Sequence, residues 1–125
     1  MINSVIQTNH APKAIGPYAQ AIIKSGMLFT SGQLGIHAET SQLAEGVEAQ
    51  AHCAMQNLLA IVTAAGMNLS HIVKTTVFLK DLEDFSVVNK VYASYFGKDY
   101  PARSCVQVAA LPLGGLVEIE CVAME

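Results

Sequence analysis

The sequence contains no run of about 18 consecutive apolar residues, so no transmembrane helix is expected. Its N-terminus, Met1-Ile2-Asn3-Ser4, lacks the basic segment followed by an apolar stretch that marks a signal peptide. The cysteines are few and badly spaced for pairing. Cys53, Cys105 and Cys121 are an odd number without a CxxC step, which argues against a disulfide framework and against a zinc site, and points to a reducing cytoplasm. Charge is also scarce, at 14% of residues with a net of −3. The seven basic residues, Lys13, Lys24, Lys74, Lys80, Lys90, Lys98 and Arg103, are scattered, with no basic cluster interleaved with aromatics, which speaks against nucleic acid as a partner. His10, His37, His52 and His71 lack metal-ligand spacing and read as surface or loop histidines, so no metal is expected. Gly114-Gly115 is followed by neither a Lys-Ser pair nor a helix and reads as a hairpin turn, not a phosphate loop. No cofactor motif is present.

What the chain does have is apolar surface. With 125 residues it fits one domain, 1–125, able to bury a core without staples. Yet 52% of its residues are hydrophobic, more than so small a globule hides easily. Either some of that surface faces another copy of the chain, or the molecule is a tightly packed monomer with few surface charges.

Periodicity predicts two helices. Over Glu45–Ala65, Val47, Ala51, Met55, Leu58 and Val62 recur at steps of three or four, with Gly66 as a C-terminal stop. Over Asp84–Phe96 the stripe is Phe85, Val88, Val91, Tyr92, Tyr95 and Phe96, with Asp81 or Asp84 as a cap and Gly97 as the end. Strands are predicted at Ile2–Gln7, Gln20–Lys24, Met27–Ser31, Ile72–Leu79, Cys105–Ala109 and Val117–Met124, with Ser25-Gly26 as a short hairpin connection and residues 35–46 as the most loop-like stretch. The fold class is α+β, with both helices on one face of a mostly antiparallel sheet. In Ile72–Leu79, strict alternation sends Ile72 and Phe78 one way and Val73, Val77 and Leu79 the other. One face can receive the helices; the second then needs a cover, and neighbouring subunits would supply it.

The chemistry concentrates in the C-terminal third. Arg103 is the only arginine, and so the only planar, bidentate donor. Strand alternation puts it on the same side as Cys105. In Val117-Glu118-Ile119-Glu120-Cys121, the two carboxylates share a face with Val122 and Met124, an arrangement that is costly unless they are paired or wetted. They could lie on a wetted sheet edge, or one could pair with Arg103. If the arginine and a carboxylate meet in a cleft, Arg103 could grip a small carboxylic acid through two parallel N–H bonds while a glutamate deprotonates a water. Cys105 is a possible nucleophile, although no motif sets a histidine beside it.

Several separated motifs resemble the RidA (YjgF) family. They are Ala11-Pro12-Lys13-Ala14-Ile15-Gly16-Pro17-Tyr18-Ala19-Gln20, Phe29-Thr30-Ser31-Gly32-Gln33, Lys74-Thr75-Thr76-Val77-Phe78-Leu79, Asp84-Phe85 through Val88-Asn89 with Tyr92 and Phe96, Pro101-Ala102-Arg103-Ser104-Cys105-Val106 with Ala109-Ala110-Leu111-Pro112, and Val117-Glu118-Ile119-Glu120. The resemblance covers nearly the whole chain. It implies a chorismate-mutase-like fold, a homotrimer with three clefts between subunits, and hydrolysis of 2-imino acids, released by pyridoxal-phosphate-dependent dehydratases, to 2-oxo acids and ammonia. By the same resemblance Arg103 binds the substrate carboxylate and Glu118 positions the attacking water. Tyr18, Ser31, Gly32, Asn89 and Cys105 line the cleft, Cys105 acting mainly through its backbone. One departure is clear. Many relatives carry a basic residue after the Pro of the Leu-Pro step and another just before the Leu; here Leu113 and Ala110 stand in those places.

Two rival readings keep the same motifs. One is a trimeric small-carboxylate-binding protein without turnover. The other is an endoribonuclease that inhibits translation, which the net charge of −3 disfavours. The resemblance to the deaminases is preferred over both.

Overall fold

In the computed structural model, which describes residues 4–125, the elements run β1 (Ser4–Ile6), β2 (Ala21–Lys24), β3 (Met27–Thr30), β4 (Gln33–Leu34), α1 (Gly46–Ala64), β5 (Ile72–Leu79), α2 (Phe85–Phe96), β6 (Ala102–Gln107) and β7 (Val117–Met124). The sheet order is β1-β2-β3-β7-β5-β6, and β4 also pairs with β7. Every pairing is antiparallel except that of β5 with β6. Both helices pack on one face of this mostly antiparallel sheet, as their apolar stripes require. From α1 the buried side chains include Ala51, Ala54, Met55, Leu58, Ile61 and Val62, and from α2 Val88, Val91 and Tyr92. They meet Val77 and Leu79 of β5 and Val117, Ile119 and Cys121 of β7 in one apolar cluster.

The predicted helices stand almost residue for residue. Asp81 caps a short 3-10 turn that leads into α2, accepting from the Glu83 N–H at 2.9 Å, whereas Asp84 makes no side-chain cap bond. The strands need more correction. The part of the predicted first strand at Ile2–Asn3 lies outside the described residues. The two-residue β4 is an addition: it is too short for a periodicity to register, and it exists because β7 offers it a pairing edge. Strand β6 begins at Ala102, three residues before the expected Cys105, because parallel pairing with Lys74–Leu79 sets its limits.

Two further expectations fail for geometric reasons. Strict alternation in β5 is broken by a register shift between Ile72 and Lys74. The extra residue, Val73, is thrown outward and is 41% exposed, while Ile72 joins Thr75, Val77 and Leu79 on the buried side. The Gly114-Gly115 step is not a hairpin, because β6 and β7 lie on either side of β5 and the segment between them crosses the end of that strand.

Buried amide side chains tie the irregular segments to this frame. Asn57 of α1 donates to the carbonyls of Leu34 and Ile36 at 3.1 and 2.8 Å. Gln50, two turns earlier on the same stripe of α1, donates to the Ala44 carbonyl at 3.0 Å and accepts from the Leu116 N–H at 2.8 Å. Gln20 accepts from the Thr8 N–H at 2.8 Å and donates to the Pro12 carbonyl, also at 2.8 Å. Each satisfies backbone groups that neither sheet nor helix provides for. Gly35 belongs to the same junction, since a β-carbon there would collide with the backbone of Gln50. Replacing Asn57 with Ala strands two buried carbonyls, and the expected loss is about 1–3 kcal/mol in urea-induced unfolding; a variant as stable as the parent would show that these bonds do not hold the β4 junction.

Candidate active site

The break between β3 and β4 opens the sheet. Phe29 pairs with Val122 and Gln33 with Ile119, so this side carries one residue more than β7 does. The surplus makes Thr30-Ser31-Gly32 bow away from β7, as bulges beside functional sites commonly do. Thr30 Oγ1 takes over the exposed donor, accepting from the Cys121 N–H at 3.0 Å. Ser31 is tied back by its hydroxyl, which donates to the Ala19 carbonyl at 2.7 Å, and by its N–H, which donates to the Gln20 carbonyl at 2.8 Å. Gly32 leaves room for Glu118, since a β-carbon there would stand 2.8 Å from the carboxyl carbon.

A cleft of about 890 Å³ results, lined among others by Tyr18, Ser31, Gly32 and Glu118. Four residues picked from the sequence therefore come together. The walls also include residues that sequence reasoning did not assign to the site, notably Ile15, Leu34, Ile36 and Leu113. Leu113 carried a signal, as an apolar residue standing where many relatives carry a basic one.

The other three predicted residues form a second group. Arg103 Nη1 donates to Asn89 Oδ1 at 2.7 Å, and its guanidinium carbon lies 4.9 Å from the Tyr92 ring centre and 5.5 Å from that of Phe85. Phe85, Asn89 and Tyr92 fall at spacings of four and three on α2, so one helix stripe fixes the plane of the guanidinium. Tyr92 is itself held by Thr75, hydroxyl to hydroxyl at 2.6 Å. Cys105 follows on the same side of β6, packed against the core, and burial pushes its thiol up, with Arg103 working in the opposite direction. Cys121 is pushed up to about 12, chiefly by burial. Neither favours the thiolate that a nucleophile needs.

These two groups do not meet within one chain. Arg103 is opposite Thr75, and Thr75 is opposite Cys121, so all three point toward the helices. Glu118 and Glu120 alternate with Cys121 and face away. Neither sequence alternative for the glutamates holds. Strand β7 is central, not a wetted edge, and Arg103, on β6, faces the opposite side of the sheet. Within the single chain, burial raises the Glu118 pKa above the usual carboxylate range, and the Glu120 carboxylate raises it further. Among the histidines, His52 is not in a loop but on α1, with Nδ1 3.0 Å from the Tyr95 hydroxyl.

A family model described as endoribonuclease L-PSP matches residues 8–125. The chain is 47% identical to the 2-iminobutanoate/2-iminopropanoate deaminase of Salmonella typhimurium, with 98% of each covered, and 45% identical to the human protein of the same name, covering 100% of this chain and 92% of that one. Its fold superposes on crystal structures of Escherichia coli TdcF with bound serine (TM-score 0.95, 44% identity, 98% of each chain) and of RidA from an Antarctic Psychrobacter (TM-score 0.95, 48% identity, 98% and 99% of the two chains).

The raised pKa of Glu118 has a consequence for stability. The folded chain holds this proton more tightly than the unfolded chain does. The stability linked to the group is therefore greatest below the ordinary value of about 4.3 and falls as pH rises through the higher folded value. Glu118→Gln cannot ionise and escapes that loss. Its melting temperature should exceed the parent's at neutral pH, with the gap closing near pH 4. A gap that does not change with pH would mean that Glu118 is not desolvated.

Proposed function

The chain belongs to the endoribonuclease L-PSP family, also known as RidA (YjgF), and from that premise we propose that it hydrolyses reactive 2-imino acids to 2-oxo acids and ammonia. The observation that carries the reading is Glu118: a half-buried carboxylate, its pKa raised, set in a cleft beside Ser31, Gly32 and Tyr18. A carboxylate with a raised pKa is a better proton acceptor near neutrality than an ordinary one. In the reaction, Glu118 takes a proton from water as the water oxygen bonds to the imine carbon. That proton passes to the imine nitrogen, giving a carbinolamine; the carboxylate then relays the carbinolamine hydroxyl proton to the same nitrogen, the C–N bond breaks as the carbonyl forms, and ammonia leaves with the 2-oxo acid behind. An imine carbon is already electrophilic, so orientation and proton transfer suffice. Arg103 supplies the orientation by holding the substrate carboxylate with the donors that Asn89 leaves free.

Because Arg103 and Glu118 face opposite sides of the sheet, one substrate can touch both only if they come from different copies of the chain. The sheet face away from the helices supports such an assembly. Val5, Phe29, Val106 and Met124 are all exposed on it, beside Glu118 and Glu120. The proposal is a closed homotrimer with a chorismate-mutase-like arrangement, its clefts between subunits and its setting the cytoplasm. Dehydratases that use pyridoxal phosphate would supply the imines.

The test generates 2-iminobutanoate from threonine with a dehydratase in the presence of a nucleophile that captures the imine. The parent should divert imine to 2-oxobutanoate, and Arg103→Ala should lower kcat/KM by roughly 10²-fold or more, on the scale of losing substrate orientation. A parent no better than buffer would end the enzymatic reading and leave a small-carboxylate-binding protein.

A further inference from the structure

Among the described residues, the two most exposed large apolar side chains are Ile15, at 83%, and Leu113, at 75%, and both line the Glu118 cleft. Leu113 is also conformationally out of place. The Pro112 carbonyl accepts from the Gly115 N–H at 3.0 Å, closing a turn whose central residues, Leu113 (φ 59°, ψ 20°) and Gly114 (φ 75°), are both left-handed. The first of those positions ordinarily takes Asn, Asp or Gly, and a leucine there is strained. The β2–β3 connection adopts the same pair of left-handed residues with a serine, Ser25 (φ 52°), before Gly26. Leu113 fills no gap in the core, so neither packing nor turn chemistry accounts for it. A strained residue at a cleft wall is where a functional explanation is sought.

The cleft provides one. In the single chain its volume of about 890 Å³ falls within the range of about 300–1,000 Å³ that takes whole small-molecule ligands, more than a three- or four-carbon imino acid needs. Polar groups, Lys13, Ser31 and Glu118 among them, share it with an apolar wall of Ile15, Leu34, Ile36, Pro112 and Leu113. We infer that Leu113, together with Ile15, is a specificity-determining residue that selects 2-imino acids carrying aliphatic side chains longer than ethyl. The inference rests on the proposed reaction for its ligand class and adds the side-chain preference. Each methylene moved from water onto this wall should raise affinity by about fourfold.

Two series test it. In one, an L-amino-acid oxidase supplies imines of increasing side-chain length and kcat/KM for their hydrolysis is measured. In the other, calorimetry records binding of the matching 2-oxo acids, from 2-oxopropanoate to 4-methyl-2-oxopentanoate. The variant is Leu113→Asn, which suits the left-handed turn and so does not put folding at risk. The expected result is a rise of about fourfold per methylene in the parent, a flat series in the variant, a melting temperature no lower, and an unchanged assembly mass. A flat series in the parent, an equal rise in the variant, or a change in assembly mass (which would make Leu113 an interface residue) overturns the inference. A rise in binding without any hydrolysis refutes the proposed reaction but not the selectivity; hydrolysis with flat series refutes the selectivity alone.

Discussion

The two-residue period of β7 is the constraint on which the rest of this molecule depends. The strand lies in the middle of the sheet, so each of its residues must commit to one side or the other. Val117, Ile119 and Cys121 commit to the helices and anchor the core; Glu118 and Glu120 are thereby forced onto the face that the chain leaves uncovered. A shift of one residue would put two carboxylates beneath α1. The register that makes the core possible therefore also sets the acidic pair where no helix shields it and places Arg103, on β6, on the far side of the sheet.

Around this frame the cleft is made from backbone that belongs to no regular ladder. One surplus residue at Thr30–Gly32 opens the sheet, and the amides of Gln20, Gln50 and Asn57 hold the segments that border the opening. These polar side chains are buried because the loops would otherwise carry unsatisfied carbonyls and N–H groups into the interior. The second group is held differently: a stripe of α2 fixes the arginine by one hydrogen bond and two rings, and Thr75 fixes one of those rings in turn. Both groups are preorganised, a feature that orientation-dominated chemistry requires.

Much of this was legible in the amino-acid sequence. Helical and strand periodicities gave α1, α2 and most of the strands, and the alternation in Val117–Cys121 divided its residues between the two faces as observed. The exceptions share a cause: they depend on pairing partners. The bulge at Val73 is set by register against β7, the early start of β6 by its parallel neighbour, and β4 by an edge that only the folded sheet offers. The same limit hid the separation of Arg103 from Glu118. Each stood out in the sequence, but which side of the sheet each faced relative to the other depended on strand order. Gln50 and Asn57 gave no signal, since a polar residue on a helix normally reads as solvent-facing.

The central claim is that one reaction centre is shared between copies, Arg103 from one and Glu118 from its neighbour. Co-refolding Arg103→Ala chains with Glu118→Gln chains tests it most directly, with native mass spectrometry to confirm that mixed assemblies form. Each variant alone should be inactive in imine hydrolysis. The equimolar mixture should recover about one quarter of the parent's activity, the share of interfaces that combine two intact halves in a cyclic assembly. Mixed assemblies that stay as inactive as the separate variants would contradict the account.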